Sequence, residues 1–164
     1  MSRFPSGSIL ASVMLMFLST STWADEPSLT EIAKTGKAAT AMIEKSGVVR
    51  QALGSSFCIH TAGFFLTNAH VVNEDTNFSL LLHPGLKNQR RVSARVVRVD
   101  KNLDLALLRA NEGSGYAPLP LGTDDGLTEL LQVIAFGFPF GTALANKNEY
   151  PAISVNVGSI SSCA

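Results

Sequence analysis

The sequence predicts an all-β fold, a barrel or a sandwich, behind a short helical start. Two observations carry this. From Ala39 onward the chain breaks into many short apolar runs at close spacing, separated by turn residues, the pattern of strands joined by tight connections. Ahead of them, Ser28-Leu29-Thr30-Glu31 has the form of a capping box, and Gly36 sits where a helix of one or two turns would stop.

Taken in order, residues 1–24 read as a signal peptide. Arg3 supplies positive charge, Ile9 to Leu18 is a short apolar core, and Thr22-Trp23-Ala24 is the small-x-Ala pattern cut by signal peptidase. A membrane span needs about 20 apolar residues, so this stretch is too short to serve as a stable anchor. No cysteine stands at the cleavage site to carry lipid. The competing reading is an N-terminal helix buried in the fold. Export to the periplasm or the extracellular space is expected.

After the helix, Ala39 to Ile43 and Val48 to Leu53 are the first β-like runs. Phe57-Cys58-Ile59 and Phe64-Phe65-Leu66 flank Thr61-Ala62-Gly63 and read as a hairpin. Ser79 to Leu82 leads into His83-Pro84-Gly85, where Pro followed by Gly suits a type II turn. Val92 to Val99 and Leu105 to Leu108 follow, broken by Asp100-Lys101-Asn102. A loop holds Asn111 to Pro120. Leu130 to Phe136, a Phe138-Pro139-Phe140-Gly141 turn and Ile153 to Ile160 complete the pattern.

Composition narrows the function. Among 164 residues, 13 Lys and Arg balance 13 Asp and Glu, charged residues are 16% and apolar residues 46%. That excludes a disordered acidic chain and a basic nucleic-acid binder. It also gives no strong electrostatic preference for a membrane surface. There is no P-loop, no GxGxxG and no HExxH, and Cys58 and Cys163 lack metal-binding spacing. No cofactor and no metal is expected.

The chemistry lies in two stretches. Phe64 to Val72 (FFLTNAHVV) places His70 directly after an apolar strand, and Leu103 to Leu108 (LDLALL) places Asp104 at the start of another. A carboxylate in an apolar run is costly to bury unless it is paired. Asp104 would accept the Nδ1–H of an imidazole, leaving Nε2 to take a proton from a nucleophile. By spacing alone, a capping Asp and a structural His fit as well.

The residues themselves go further. Gly54-Ser55-Ser56-Phe57, Gly63 and Leu66 to Val72 (LTNAHVV) resemble the strand, turn and T-N-x-H-V-V motif of trypsin-like serine peptidases of the HtrA/Deg type. Asp100 to Leu108 (DKNLDLALL) resembles that family's D-x-x-x-D-L-A-L-L stretch, Leu121-Gly122-Thr123 its L-G-[DS] turn, Val133 to Gly141 (VIAFGFPFG) its V-x-A-I-G-N-P-F-G segment, and Val155 to Ser162 its V-x-x-G-I-I-S-x stretch. Order and spacing agree over residues 47–162. The resemblance implies a trypsin-like double β-barrel with the active site between the barrels. It implies hydrolysis of peptide bonds in polypeptide substrates by a Ser-His-Asp triad, without metal or organic cofactor. His70 would be the general base and acid, and Asp104 its orienting partner.

The resemblance also divides the chain. Residues 25–46 would hold the short helix and first strand, 47–115 the first barrel with His70 and Asp104, and 116–164 the interbarrel loop and an incomplete second barrel. The family's G-[DN]-S-G-G turn, with the nucleophilic Ser and the oxyanion-hole N–H groups, has no counterpart here. Gly113-Ser114-Gly115 comes soon after Asp104, lacks the following Gly, and reads as a turn. Ser159, Ser161 and Ser162 match a strand that precedes the nucleophile. Two expectations follow: a serine endopeptidase domain represented by a fragment without its nucleophile, and inactive alone; or a non-enzymatic pseudopeptidase or peptide-binding β-domain.

Other residues read as structural. Val71 follows His70 where vertebrate trypsin-like enzymes have cysteine, so Cys58 is expected to be a small buried hydrophobe; a Cys58–Cys163 bond is the alternative. His60 and His83 are expected beside turns in solvent. A zinc site from His60, His70 and His83 would need close convergence and a further carboxylate or thiolate. Arg90-Arg91 is expected to mark an exposed strand edge.

Overall fold

The computed structural model describes residues 27–47, 52–139 and 150–162. The export segment at 1–24, the start of the Val48–Leu53 run, the end of the Phe138–Gly141 turn and Cys163 lie outside the described residues.

Helix α1 (Leu29–Ala39) begins on the capping box read from the sequence. The Glu31 N–H donates to Ser28 Oγ at 3.3 Å, and Glu31 Oε2 accepts from the Ser28 N–H at 2.9 Å. The Ser28 N–H, and the Ser28 hydroxyl donating to the same oxygen at 2.9 Å, hold the Glu31 carboxyl below the usual carboxylate range. The helix does not stop at Gly36. It continues to Ala39 and ends where the Thr40 N–H and hydroxyl both return to the Gly36 carbonyl, the hydroxyl at 2.7 Å. Gly36 has another cause: a Cβ there would overlap the Phe136 ring.

Eight strands follow: β1 (Thr40–Lys45), β2 (Ala52–His60), β3 (Phe64–Thr67), β4 (Asn77–Leu82), β5 (Arg90–Asp100), β6 (Leu105–Ala110), β7 (Gln132–Gly137) and β8 (Ser154–Ser159). A single turn of helix, α2 (Ala69–Val72), lies between β3 and β4. Six strands close into an antiparallel barrel in the order β1-β2-β3-β6-β5-β4, and β7 pairs with β8 in a separate two-stranded sheet. Strand β1, grouped with the helix in residues 25–46 from the sequence, is itself a barrel stave, paired with both β2 and β4.

The connections follow their turn residues. The β2–β3 hairpin closes with the Gly63 N–H donating to the His60 carbonyl at 2.9 Å. After β4, the Leu86 N–H donates to the His83 carbonyl at 3.1 Å and Gly85 has φ +76°, the left-handed position that a type II turn requires. Between β5 and β6, Asp100 Oδ1 accepts the N–H groups of Asn102 and Leu103, an aspartate turn that reverses the chain.

The core obeys the two-residue period of strands. Ala41 and Ile43 of β1, Phe78, Leu80 and Leu82 of β4, and Ala106, Leu108 and Ala110 of β6 fill the barrel with Phe65, Cys58 and Tyr116. Strand β1 is buried on its other face too, where Met42 and Leu81 pack with Phe138, Tyr150 and Ile153. That second cluster seats Phe138, Tyr150 and Ile153 on the barrel wall. By contrast β7 and β8 leave Val133, Val155 and Val157 exposed.

Arg90 and Arg91 do not mark a sheet edge, because β5 lies between β4 and β6. Arg91 Nε donates to Glu44 Oε2 at 2.7 Å, and its guanidinium also bonds the Tyr150 hydroxyl. Arg90 donates to the Ser114 carbonyl at 2.7 Å and lies over the Tyr116 ring. Both arginines are held by partners that sequence spacing does not bring near.

Candidate active site

The β3–β6 ladder builds the site. Its last pair is Thr67 with Ala106. Asn68, Ala69 and His70 therefore leave β3 beside Asp104, the residue just before β6. Main-chain pairing persists one step beyond the strands, with the Ala69 N–H donating to the Asp104 carbonyl at 3.0 Å.

The Asp104 carboxylate collects three donors. The His70 main-chain N–H donates to Oδ1 at 2.9 Å, His70 Nδ1 lies 2.7 Å from Oδ2, and Asn68 Nδ2 donates to Oδ2 at 3.1 Å. Asn68 Nδ2 also reaches the Asp104 carbonyl at 3.2 Å. The two bonds from His70, its main-chain N–H first, hold the Asp104 carboxyl below the usual range, while burial opposes them slightly. Asp104 has φ +52°, in the left-handed region where aspartate is enriched but still strained by on the order of 1 kcal/mol.

An ionised carboxylate accepts only, so the hydrogen shared with Asp104 belongs to Nδ1 of His70. The imidazole is then in the tautomer whose Nε2 takes up a proton. The site is open: the His70 side chain is 71% exposed and that of Asp104 45%. A shallow cleft of about 280 Å³ is lined by Ala69, His70, Asn73, Lys101 and Asp104.

The remaining sequence candidates lie elsewhere. Cys58 is buried in the barrel, its Sγ donating to the His60 carbonyl at 3.3 Å, and burial pushes the thiol pKa up. His60 is exposed in its turn, Nδ1 accepting the Ala62 N–H at 3.0 Å. His83 is half-buried rather than solvated, and burial, aided by Arg90, holds it below the usual histidine value. Among the described residues no three His, Cys, Asp or Glu side chains gather as a metal site would require. Ser114 lies in the loop whose carbonyl Arg90 holds.

Sequence reasoning missed two contributors. Asn68 stood inside the quoted motif without a role; the signal was an amide one residue beyond the strand that meets Asp104. Ser55 Oγ accepts the Phe138 N–H at 2.8 Å, tying the end of β7 to the barrel, and nothing in the spacing announces a bond across 83 positions.

Comparison with known proteins then matches residues 54–164 to the family model described as trypsin-like peptidase domain. A probable periplasmic serine endoprotease, DegP-like, of Bartonella henselae is 33% identical over 90 residues, which is 55% of this chain and 17% of that protein. The magnetosome formation protease MamE of Paramagnetospirillum magneticum is 33% identical over 89 residues, 54% of this chain and 12% of that one. The chain thus spans about a sixth or less of the length of these relatives. Among solved structures, an HtrA-type protease AlgW with a decapeptide superposes with TM-score 0.64 at 22% identity, over 82% of this chain and 46% of that chain. The apo MamO protease domain from Magnetospirillum magneticum gives 0.63 at 23% identity, over 79% and 64%. At such identities the structural likeness is one of fold.

Proposed function

The chain belongs to the family of trypsin-like peptidase domains, and from that premise we propose that it is the His- and Asp-bearing part of an exported serine endopeptidase domain. In this reading His70 is the general base and acid, Asp104 orients it, and the substrate is a polypeptide. The observation that carries it is the 2.7 Å contact of His70 Nδ1 with an Asp104 carboxylate already engaged by the His70 main-chain N–H. A carboxylate so placed fixes the ring orientation and stabilises the imidazolium formed on proton uptake. Names of relatives as periplasmic proteases support export, and the two-stranded β7–β8 sheet is read as the start of a second barrel beyond the loop at 111–120.

The missing half of the chemistry is the nucleophile. The G-[DN]-S-G-G turn does not occur among these 164 residues, and the oxyanion-hole donors that such a turn brings are worth about 3 kcal/mol of transition-state stabilisation. That observation favours a second reading for the 164-residue chain on its own: a non-enzymatic peptide-binding β-domain. A serine-directed fluorophosphonate, with hydrolysis of an unstructured protein, tests both. The chain alone is expected neither to label nor to hydrolyse. A product of the same coding region that continues into a Gly-flanked Ser is expected to do both, and to lose both in His70→Ala. Hydrolysis by that product undiminished in His70→Ala removes the assignment of His70.

A further inference from the structure

Asn68 occupies the N-cap position of α2, yet its side chain makes no cap hydrogen bond. Its amide is directed to Asp104 instead, where one Nδ2 group donates to the main-chain carbonyl at 3.2 Å and to Oδ2 at 3.1 Å. These two acceptors belong to one residue held at φ +52°, a backbone conformation that L side chains adopt rarely. The carbonyl is also bonded by Ala69, and Oδ2 also by the imidazole, so Asn68 joins the backbone of Asp104 to the carboxylate oxygen facing His70. We propose that Asn68 is a positioning residue: its amide locks Asp104 in its left-handed conformation, so that the carboxylate spans the main-chain N–H and Nδ1 of His70.

Geometry favours this role over a merely local one. The Asp104 carboxylate is only half-covered, so water competes for each of its bonds and the direct His70 contact is easily lost. Two bonds from one amide fix the χ angles of Asp104 relative to its backbone, and His70 is bonded to the same carboxylate through both backbone and ring. Without the amide, Asp104 retains its main-chain contact with Ala69, but its carboxylate is freed to turn toward Lys101, the cation lining the same cleft. The catalytic meaning of the lock rests on the reading of His70 as base. The lock itself does not.

The test is a cycle read by NMR on the folded chain, following the Asp104 side-chain carbon and the His70 Nδ1–H. Titration midpoints of Asp104 are compared in the unaltered chain, Asn68→Ala, His70→Ala and the double variant. If Asn68 positions the carboxylate for His70, Asn68→Ala raises the midpoint at least twice as far when His70 is present as when it is absent. The hydrogen-bonded Nδ1–H signal disappears with it. Equal shifts in the two backgrounds, with the Nδ1–H signal intact, reduce Asn68 to one more local donor and overturn the proposal. Asn68→Ser keeps a residue favoured at helix N-caps while withdrawing the reach of the amide, and the same loss is expected should the alanine variant not fold. Because no hydrolysis is measured, a failed peptidase assignment leaves this result unchanged, and a failed cycle leaves the peptidase assay unchanged.

Discussion

The Arg91 guanidinium meets the Glu44 carboxylate at 2.7 Å over the strand that lies between theirs, and Glu44 is wholly buried while Arg91 is partly open to solvent. The pair links β5 to β1 across the strand between them, and through the Tyr150 hydroxyl it also reaches the segment packed on the outside of β1. The carboxylate shows in turn as a cause that raises the Arg91 pKa.

Removing the cation leaves a charge that water does not reach. Breaking a buried ion pair from one side costs about 3–5 kcal/mol, and the partial exposure of Arg91 places this case toward the lower end. Urea unfolding of Arg91→Ala is expected to show that loss. Glu44→Gln in the same background recovers part of it, and no recovery argues against the charge as the cause.

Gly36→Ala sets two effects against each other. Helix propensity favours alanine by roughly 1 kcal/mol, but the added methyl overlaps the Phe136 ring. Overpacking typically costs about 1–3 kcal/mol, so the net effect is destabilising. Hydrogen exchange is expected to quicken in β7–β8 more than in the barrel, and Phe136→Leu is expected to relieve it. A more stable Gly36→Ala variant means the ring moves aside freely.

Acid acts on the site through Asp104, whose carboxyl is held down mainly by the main-chain and ring N–H groups of His70. A depressed native pKa stabilises the fold fully above the ordinary aspartate value, about pH 4. That contribution is lost as pH falls through the lower native value. Stability measured against pH should therefore fall less steeply below pH 4 in Asp104→Asn than in the unaltered chain. Parallel curves contradict the assignment.

Cys58 is expected to be chemically silent. Its thiol is enclosed in the barrel and its pKa is raised by burial, so little thiolate is present or accessible at neutral pH. In a Cys163→Ser background, a water-soluble disulfide reagent should modify Cys58 only at the rate of barrel opening, and at once in denaturant. Fast modification of the folded chain would show that the barrel breathes at β2.

Much of the architecture was legible because it is local. Ser28 and Glu31 lie within one helical turn, His83-Pro84-Gly85 forms its turn alone, and Thr61-Ala62-Gly63 joins two runs that are neighbours in sequence. The His70–Asp104 pair was reached through the resemblance, since spacing alone left a capping Asp equally open. What stayed hidden depends on surfaces far apart in sequence meeting. Gly36 looked like a helix stop because its reason, the Phe136 ring, lies on another sheet. Arg91 looked like an edge charge because Glu44 and Tyr150 are supplied by other parts of the chain. Asn68 carried no role in the sequence because its partner, the Asp104 carboxylate, lies 36 positions away.

The barrel order β1-β2-β3-β6-β5-β4 has a consequence in time. The last of the six strands in sequence is the keystone in space, seated between β3 and β5. A nascent polypeptide with five staves has an open seam flanked by the very strand that leads to His70. Asp104 arrives on the keystone, so imidazole and carboxylate meet only when the seam is shut. Long-range pairing of this sort is slow to form. Closing the barrel and bringing His70 to Asp104 are thus a single step, and an unfinished barrel carries a histidine with no aspartate beside it.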